Sequence, residues 1–405
     1  MHSGLAWLDS LQGSGIRPGL DRMRAVLRPL GRPERAYRSI IVAGTNGKGS
    51  TSATLASILT ASRYKTGLYT SPHLVNLRER WMIDGEMIEP PLLERSIALL
   101  RHASDSIGIT PTYFEALTLI AFIAFREAQC EIAVLEVGMG GRLDATNVVS
   151  PVAALITPIG LDHTEFLGNT LRKVAAEKAG VIHRGTIALT TNCEPAVIDV
   201  LRKRAKQFGN RFIVVDDEHS TPLPGDFQRR NVALAVRAAL ELQPALTRIT
   251  TESIERGVAQ TRWRGRLERI DCDDKSIWID GLHNSHAAAA VAPFIEKNVP
   301  RPRVLVFGIM RDKDIDAVAR VLFPRFDCLI ATDPYPPRAA KPQELAELAR
   351  KWNIESAAEP EPARAFERAM RSRHRSIFIG GSLYLAGAAI EYFDAQRERG
   401  HKKQK

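Results

Sequence analysis

Cysteine is scarce and scattered in this chain. Cys130, Cys193, Cys272 and Cys328 form no C-x-x-C pair, which argues against a disulfide framework and against a structural zinc site. A reducing compartment fits that usage. Long apolar runs are missing too: no window approaches the roughly 18 uncharged apolar residues of a membrane span. The opening MHSGLAWLDSLQ has no basic stretch followed by an unbroken apolar one. The expectation is a soluble, cytoplasmic protein with no membrane partner. Gly (28) and Pro (23) stay near background, and there is no internal repeat, so collagen-like, coiled-coil and wholly disordered chains are excluded.

What is present is an ordinary globular composition, 44% apolar and 25% charged, over 405 residues, enough for two or three domains. The formal net charge is +10, but the excess is local. Arg22–Arg38 carries +5, Arg262–Arg269 +3 and the last ten residues +4, which leaves −2 for all the rest. A basic surface spread over the fold, as nucleic acid would need, is not indicated. Anionic small molecules are the expected partners, with no nucleic acid.

Short β-branched runs alternate with helical patterns, as in βα units that build parallel sheets. Strands are expected at Ser39–Val42, Ile132–Val137, Val152–Thr157, Thr186–Leu189 and Phe212–Val215, and in a second series at Ser276–Asp280, Val304–Gly308, Cys328–Thr332 and Ser376–Gly380. The fold class is α/β, with a larger N-terminal parallel-sheet domain over 1–265 and a smaller C-terminal α/β domain over 266–405. The divide falls in the Arg-rich Thr261–Lys275, read as a charged linker. The final QRERGHKKQK reads as a frayed tail.

Three motifs carry chemistry. Gly44-Thr45-Asn46-Gly47-Lys48-Gly49-Ser50 follows an apolar strand and opens a helix. Glycines let backbone N–H groups converge on phosphate, the helix N-terminus adds partial positive charge, Lys48 reaches the β/γ-phosphates, and Ser50 can hold Mg²⁺. The loop departs from the usual Walker pattern twice: Val42 stands where its first glycine would be, and Gly49 separates Lys48 from Ser50. Glu136 ends the strand IAVLE before a glycine-rich turn, and His163 lies just past the strand VAALIT. Ligands of α/β folds bind at carboxyl strand ends, and Mg²⁺ accepts carboxylate, imidazole, phosphate and water. Lys178, in a last helical turn, reads by itself as a partner of the helix dipole. Asp280 ends the strand KSIWI and could accept from ribose hydroxyls; His283 and His286 nearby have no third ligand to complete a zinc site. Arg262-Trp263-Arg264-Gly265-Arg266 could grip nucleic acid, or a nucleotide at a domain junction.

GTNGKGS, SPHLVNLRERWMIDG, TYFEALT, LEVGMGGRLDATN, LDHTEFLG, EKAGVI, the RGR after Trp263, DGLHNSHA and GIMRDKD occur in this order. Together they resemble the dihydrofolate synthase/folylpolyglutamate synthase family of the Mur ligase superfamily, from about Gly19 to about Leu383. The resemblance implies an N-terminal P-loop-type α/β domain and a C-terminal Rossmann-like domain, with ATP between them. It implies ATP phosphates held by Gly47, Lys48, Gly49 and Ser50, and two Mg²⁺ sites drawing on Ser50, Ser71, Glu136 and His163. Lys178 resembles the family's carbamylated lysine. Asn231, Arg266, Asp280 and His283 resemble the nucleotide-binding residues. Thr112, Tyr113, Phe114 and Glu115, with Leu143, Asp144 and Ala145, resemble the pterin-binding segments. Lys178, Lys48, His163 and Arg266 are the implied catalytic residues.

The implied activity is ATP-dependent joining of L-glutamate to dihydropteroate, and to folylglutamates in a bifunctional enzyme, through an acyl phosphate, in folate biosynthesis and one-carbon metabolism. The expected state is a monomer. Arg17 stands where the family commonly has an acid, Ser285 replaces a proline, and HSTPLPGDF is short where bacterial relatives carry extra strands. These departures keep open a Mur-type amide ligase with a different carboxylate acceptor. A P-loop kinase or regulatory NTPase is the alternative of another class, disfavoured by the second α/β domain opened by DGLHN; a non-catalytic remnant is disfavoured because every candidate ligand remains.

Overall fold

A computed structural model describes residues 2–403 apart from 16, 273 and 337. The chain forms two compact units. The first runs to Pro72 and resumes over Arg78–Pro222 and Gln228–Arg262; the second comprises Trp263–Lys405 together with two short upstream segments, His73–Leu77 and Leu223–Phe227.

The first unit is built on eight strands: β1 (Arg38–Ala43), β2 (Thr66–Tyr69), β3 (Trp81–Ile83), β4 (Glu86–Met87), β5 (Ile132–Glu136), β6 (Ala153–Ile156), β7 (Ile187–Thr190) and β8 (Phe212–Val214). Their order is β4-β3-β2-β5-β1-β6-β7-β8, parallel except that β3 pairs antiparallel with both β2 and β4. Strands β2, β5 and β6 are buried along their whole length, and β5 and β6 read as nearly continuous apolar runs, which is why the sequence revealed them. The four-residue Thr-Gly-Leu-Tyr of β2 carries too little β signal to stand out, and the short β3–β4 hairpin turns on Asp84-Gly85. Register pairs Val42 with Glu136, Ala43 with Ile156, Tyr69 with Leu135 and Ile156 with Thr190. The loops leaving β2, β5, β1, β6 and β7 therefore emerge at one edge.

Helix Lys48–Ala61 is buried on nearly every side. It packs tightly on helix Thr251–Gln260: a Cβ on Gly257 would sit 2.4 Å from Ile58 Cα, so only glycine permits that approach. Helix Tyr113–Glu127 starts at a capping box, with Thr112 accepting from the Glu115 N–H and the Glu115 carboxylate accepting from the Thr112 N–H.

The second unit has β9 (Glu268–Cys272), β10 (Lys275–Ile279), β11 (Arg303–Phe307), β12 (Cys328–Ala331), β13 (Glu355–Ala358) and β14 (Ser376–Gly380), in the order β13-β12-β11-β14-β10-β9. All pair in parallel except β9 with β10. Apolar clusters lie around Leu305, Phe307 and Phe378 and around Val306, Ile377 and Phe393; Phe227 packs against the first and Leu74 against the second. Part of the supposed linker is strand β9, an edge strand with Ile270 buried and Arg269 and Asp271 exposed, so its charges mask the pattern. The supposed tail is helical through Lys403, in the helix Leu383–Lys403; Gln404 and Lys405 lie outside the described residues. Ser285 takes the first position of helix Ser285–Asn298, the one place where a proline would have been equally at home. Among the described residues no helix is long and apolar enough to cross a membrane.

Candidate functional site

At the carboxyl edge of the first sheet, β1 runs into Gly44–Gly47 and then into helix Lys48–Ala61. Gly44 and Gly47 both have positive φ, +150° and +87°. A Cβ on Gly44 would lie 1.8 Å from Thr157 Oγ1, and one on Gly47 2.4 Å from Asn231 Oδ1. Side chains are thus excluded at both positions and the loop presents backbone, the arrangement a phosphate cradle requires. Lys48 folds its Nζ onto the Thr45 carbonyl at 3.1 Å. Ser50 lies buried in the first helical turn. Asn231, from helix Asp226–Leu242, donates from Nδ2 to Gln228 Oε1 at 2.9 Å, and its carbonyl accepts from Thr51 Oγ1 at 3.2 Å.

The metal candidates divide. Glu136, buried at the end of β5, accepts the Ser71 N–H at 3.3 Å, so these two residues are brought together. His163 sits on the loop after β6 in a left-handed conformation (φ 50°), with its ring partly exposed and 4.0 Å from Asp162 Oδ1. No three His, Cys, Asp or Glu side chains among the described residues gather into a metal group. Hydroxyls of Ser50 and Ser71, one carboxylate and one imidazole form a donor set that fits Mg²⁺, a hard cation that completes its shell with phosphate and water.

Lys178 is the residue the bare sequence most understated. It ends helix Leu171–Ala179, where the dipole reading would leave it in solvent, yet it is buried and its Nζ donates to the Gly44 carbonyl at 2.6 Å. Burial, reinforced by the nearby Lys48 cation, pushes its pKa down to about 7. Backbone packs on backbone to hold it there: a Cβ on Gly141 would meet the Glu177 carbonyl and Lys178 Cα, and one on Gly180 would meet Arg142.

Several residues assigned by resemblance to ligand binding are engaged within the protein. The buried Asp144 carboxylate accepts from the Gly138 and Met139 N–H groups (3.1 and 3.0 Å) and from the Thr146 N–H and hydroxyl (2.9 and 2.7 Å). Burial raises its pKa while these four donors oppose the shift. It closes the turn between the partly exposed Leu143 and the buried Ala145. Glu115 combines its capping role with an ion pair to Arg22 at 3.0 Å, and Arg22 also donates to the Arg17 carbonyl. Tyr113 is half-buried. The Phe114 ring lies so close over Gly138 that a Cβ there would be 2.3 Å from Cζ.

In the second unit, Asp280 accepts the Leu267 N–H on Oδ2 (2.9 Å) and the Leu282 N–H on Oδ1 (2.8 Å). Burial raises its pKa, with Arg266 pulling the other way. Arg266 lies against Gly281, and His283 Nδ1 donates to the Gly281 carbonyl at 3.0 Å, which fixes its tautomer. Arg264 of the Arg-Trp-Arg stretch is paired with Glu268 and Asp394. Sequence reasoning named Thr45 only as part of the loop motif and gave no part to Thr157 and Asn192, each beside a strand end; position after a strand at the same edge was the available signal.

Comparison with known proteins follows the same lines. Residues 42–235 match the Mur ligase middle domain, and residues 265–382 the Mur ligase glutamate ligase domain. The chain is 33% identical to the Escherichia coli dihydrofolate synthase/folylpolyglutamate synthase over 98% of this chain and 96% of that one. Its fold superposes on Mycobacterium tuberculosis folylpolyglutamate synthase complexed with ADP and AMPPCP with a TM-score of 0.87, at 31% identity over 96% and 98% of the two chains. For the Escherichia coli protein in complex with DHPP and ADP the TM-score is 0.86, at 30% identity over 97% and 98%.

Proposed function

Because the chain belongs to the dihydrofolate synthase/folylpolyglutamate synthase family of Mur ligases, we propose that it is an ATP-dependent ligase joining L-glutamate to dihydropteroate, and to folates already carrying glutamate. The observation that carries the reading is one sheet edge at which a glycine phosphate loop, the Ser71–Glu136 pair and a buried Lys178 meet. In this reading residues 1–265 hold ATP and the pterin, and residues 266–405 form the glutamate-ligase domain of a cytoplasmic monomer whose four cysteines are free.

A carboxylate is a poor acyl donor because oxide would have to leave. The acceptor carboxylate oxygen therefore attacks the γ-phosphorus of ATP, the bond to the ADP oxygen breaks, and an acyl phosphate results. The amine of glutamate then attacks the acyl carbon, phosphate leaves with the C–O bond electrons, and the amine loses a proton. Both partners of the first step are anionic, so the step needs cations held in place. Lys48 supplies one at the phosphate loop, and the family resemblance makes Arg266 the candidate for a second. Magnesium held by Ser50, Ser71, Glu136 and His163 would neutralise phosphate charge.

Lys178 suits carbamylation. At neutral pH a large share of its amine is uncharged, as attack on CO₂ requires, and forming the C–N bond with loss of a proton replaces a costly buried cation by an anion. That anion would sit near Lys48. Purified protein with ATP, magnesium and glutamate should release phosphate only when dihydropteroate or a reduced folate monoglutamate is added, and product mass separates the two acceptors. Phosphate release with another acid and none with dihydropteroate would establish the Mur-type alternative instead.

A further inference from the structure

The loop leaving β7 carries no residue so far given a role, yet it reaches the phosphate loop through one side chain. Asn192 is buried. Its Oδ1 accepts the Ile159 N–H at 2.7 Å, and its Nδ2 faces the Thr157 carbonyl at 3.1 Å, the Ile156 carbonyl at 3.4 Å and Thr190 Oγ1 at 2.6 Å. The orientation of the carboxamide is fixed by these neighbours, since a backbone N–H must meet its oxygen and backbone carbonyls its nitrogen. Asn192 thereby holds both flanks of the 157–160 turn.

That turn in turn holds the phosphate loop. The Pro158 carbonyl accepts from the Thr45 N–H (3.0 Å) and the Asn46 N–H (3.4 Å). The Thr45 hydroxyl donates to the Gly160 carbonyl at 3.0 Å and accepts the Gly160 N–H at 3.1 Å. Thr45 also offers the carbonyl on which Lys48 rests. Two residues beyond Gly160 the chain reaches Asp162 and His163. Asn192 is thus bonded to the turn that joins the phosphate loop to the His163 loop.

We infer that Asn192 is a positioning residue for the nucleotide phosphates, acting through the 157–160 turn on Thr45 and Lys48 while touching no substrate itself. The inference rests on the ATP-binding reading above. Aspartate would keep the acceptor for Ile159 but turn a carboxylate oxygen on two carbonyls; alanine would leave the Ile159 N–H buried without its partner.

The test uses full-length wild type, Asn192→Ala, Asn192→Asp and, as a neighbour control, Thr191→Val, whose hydroxyl has no partner in the structure. ATP affinity with magnesium is measured by calorimetry, and amide hydrogen exchange is followed at residues 45, 46, 159 and 160. Asn192→Ala should bind ATP about tenfold more weakly, the loss of roughly one buried hydrogen bond, and should exchange faster at those amides than at strands β7 and β8. The KM for glutamate should not move, and Thr191→Val should match wild type. Asn192→Asp should regain affinity as pH falls and its carboxyl protonates into a donor. Unchanged ATP affinity and unchanged exchange at residues 45 and 46 in Asn192→Ala would overturn the inference, whatever its melting temperature. Should Asn192→Ala not yield soluble protein, the same two readouts on Asn192→Asp decide. Wild type that fails to bind ATP would sink the ligase reading itself, a distinct result.

Discussion

Each unit buries one lysine near a strand end, and the two are treated differently. Lys275, at the start of β10, donates to the Ser372 and His374 carbonyls at 2.7 and 3.0 Å. Its charge is answered by two carbonyl dipoles, and it ties a loop to a strand. Lys178 bonds the Gly44 carbonyl and lies within the influence of Lys48, which works against its charge. The first lysine stabilises its surroundings. The second is held as a cation only at a cost, which is the basis for the chemical role proposed for it above.

The largest expected effect separates these roles directly. Lys178→Met should reduce ligation by at least about 10²–10³-fold, the scale of losing one preorganised charge-stabilising group. The same substitution should make the protein more stable near pH 7. The folded-state pKa of Lys178 lies below its usual 10.5, at about 7, so the unfolded chain binds more protons between those values. Wild-type stability should therefore rise as pH increases from 7 to 10.5, and the penalty at pH 7 is on the order of 4 kcal/mol. Denaturant melts across that range check this: equal slopes for wild type and variant would show that the lysine is not strained.

Next in size is the effect of bicarbonate. If the uncharged amine takes up CO₂, bicarbonate should raise the wild-type melting temperature at pH 8 and leave Lys178→Met unmoved. A third substitution inverts the first: Lys275→Met should lower stability by about 1–3 kcal/mol by leaving two buried carbonyls unpaired, with kcat unchanged. If it impaired turnover while sparing stability, the contrast between the two lysines would collapse. Smallest of all, Arg264→Ala should cost less than about 1 kcal/mol, since its pairs with Glu268 and Asp394 are half-exposed. Urea melts at low and high salt would detect the difference.

The placement of the phosphate loop, Glu136 and His163 at strand ends was legible because strand ends, glycines and helix starts are written in contiguous residues. Lys178 was legible only as a family position; its burial depends on Gly141 and Gly180 packing against facing backbone, which no local pattern encodes. Asn192 followed a recognised strand but drew no notice, since its role lies in bonds to a loop more than thirty residues earlier. Asp144 and Glu115 were read as ligand contacts, and their carboxylates turn out to organise the turn and the helix cap that shape their segments. Strand β9 was hidden because an edge strand with one wet face can carry as many charges as a linker.

The two small segments that join the second unit also bear on how the protein comes into being. The chain passes between the units after Pro72, Leu77, Pro222, Phe227 and Arg262. Leu74 packs with a cluster that includes Ile390 and Phe393, and Phe227 with one that includes Leu267. During synthesis Leu74 is made early and must wait, apolar and unhoused, until more than three hundred further residues have been added. A gene fragment beginning at Trp263 would encode a core with two gaps in it. The second unit is thus a domain in space without being a portable cassette in the gene, and any shuffling or truncation that respects only its contiguous stretch discards part of its interior.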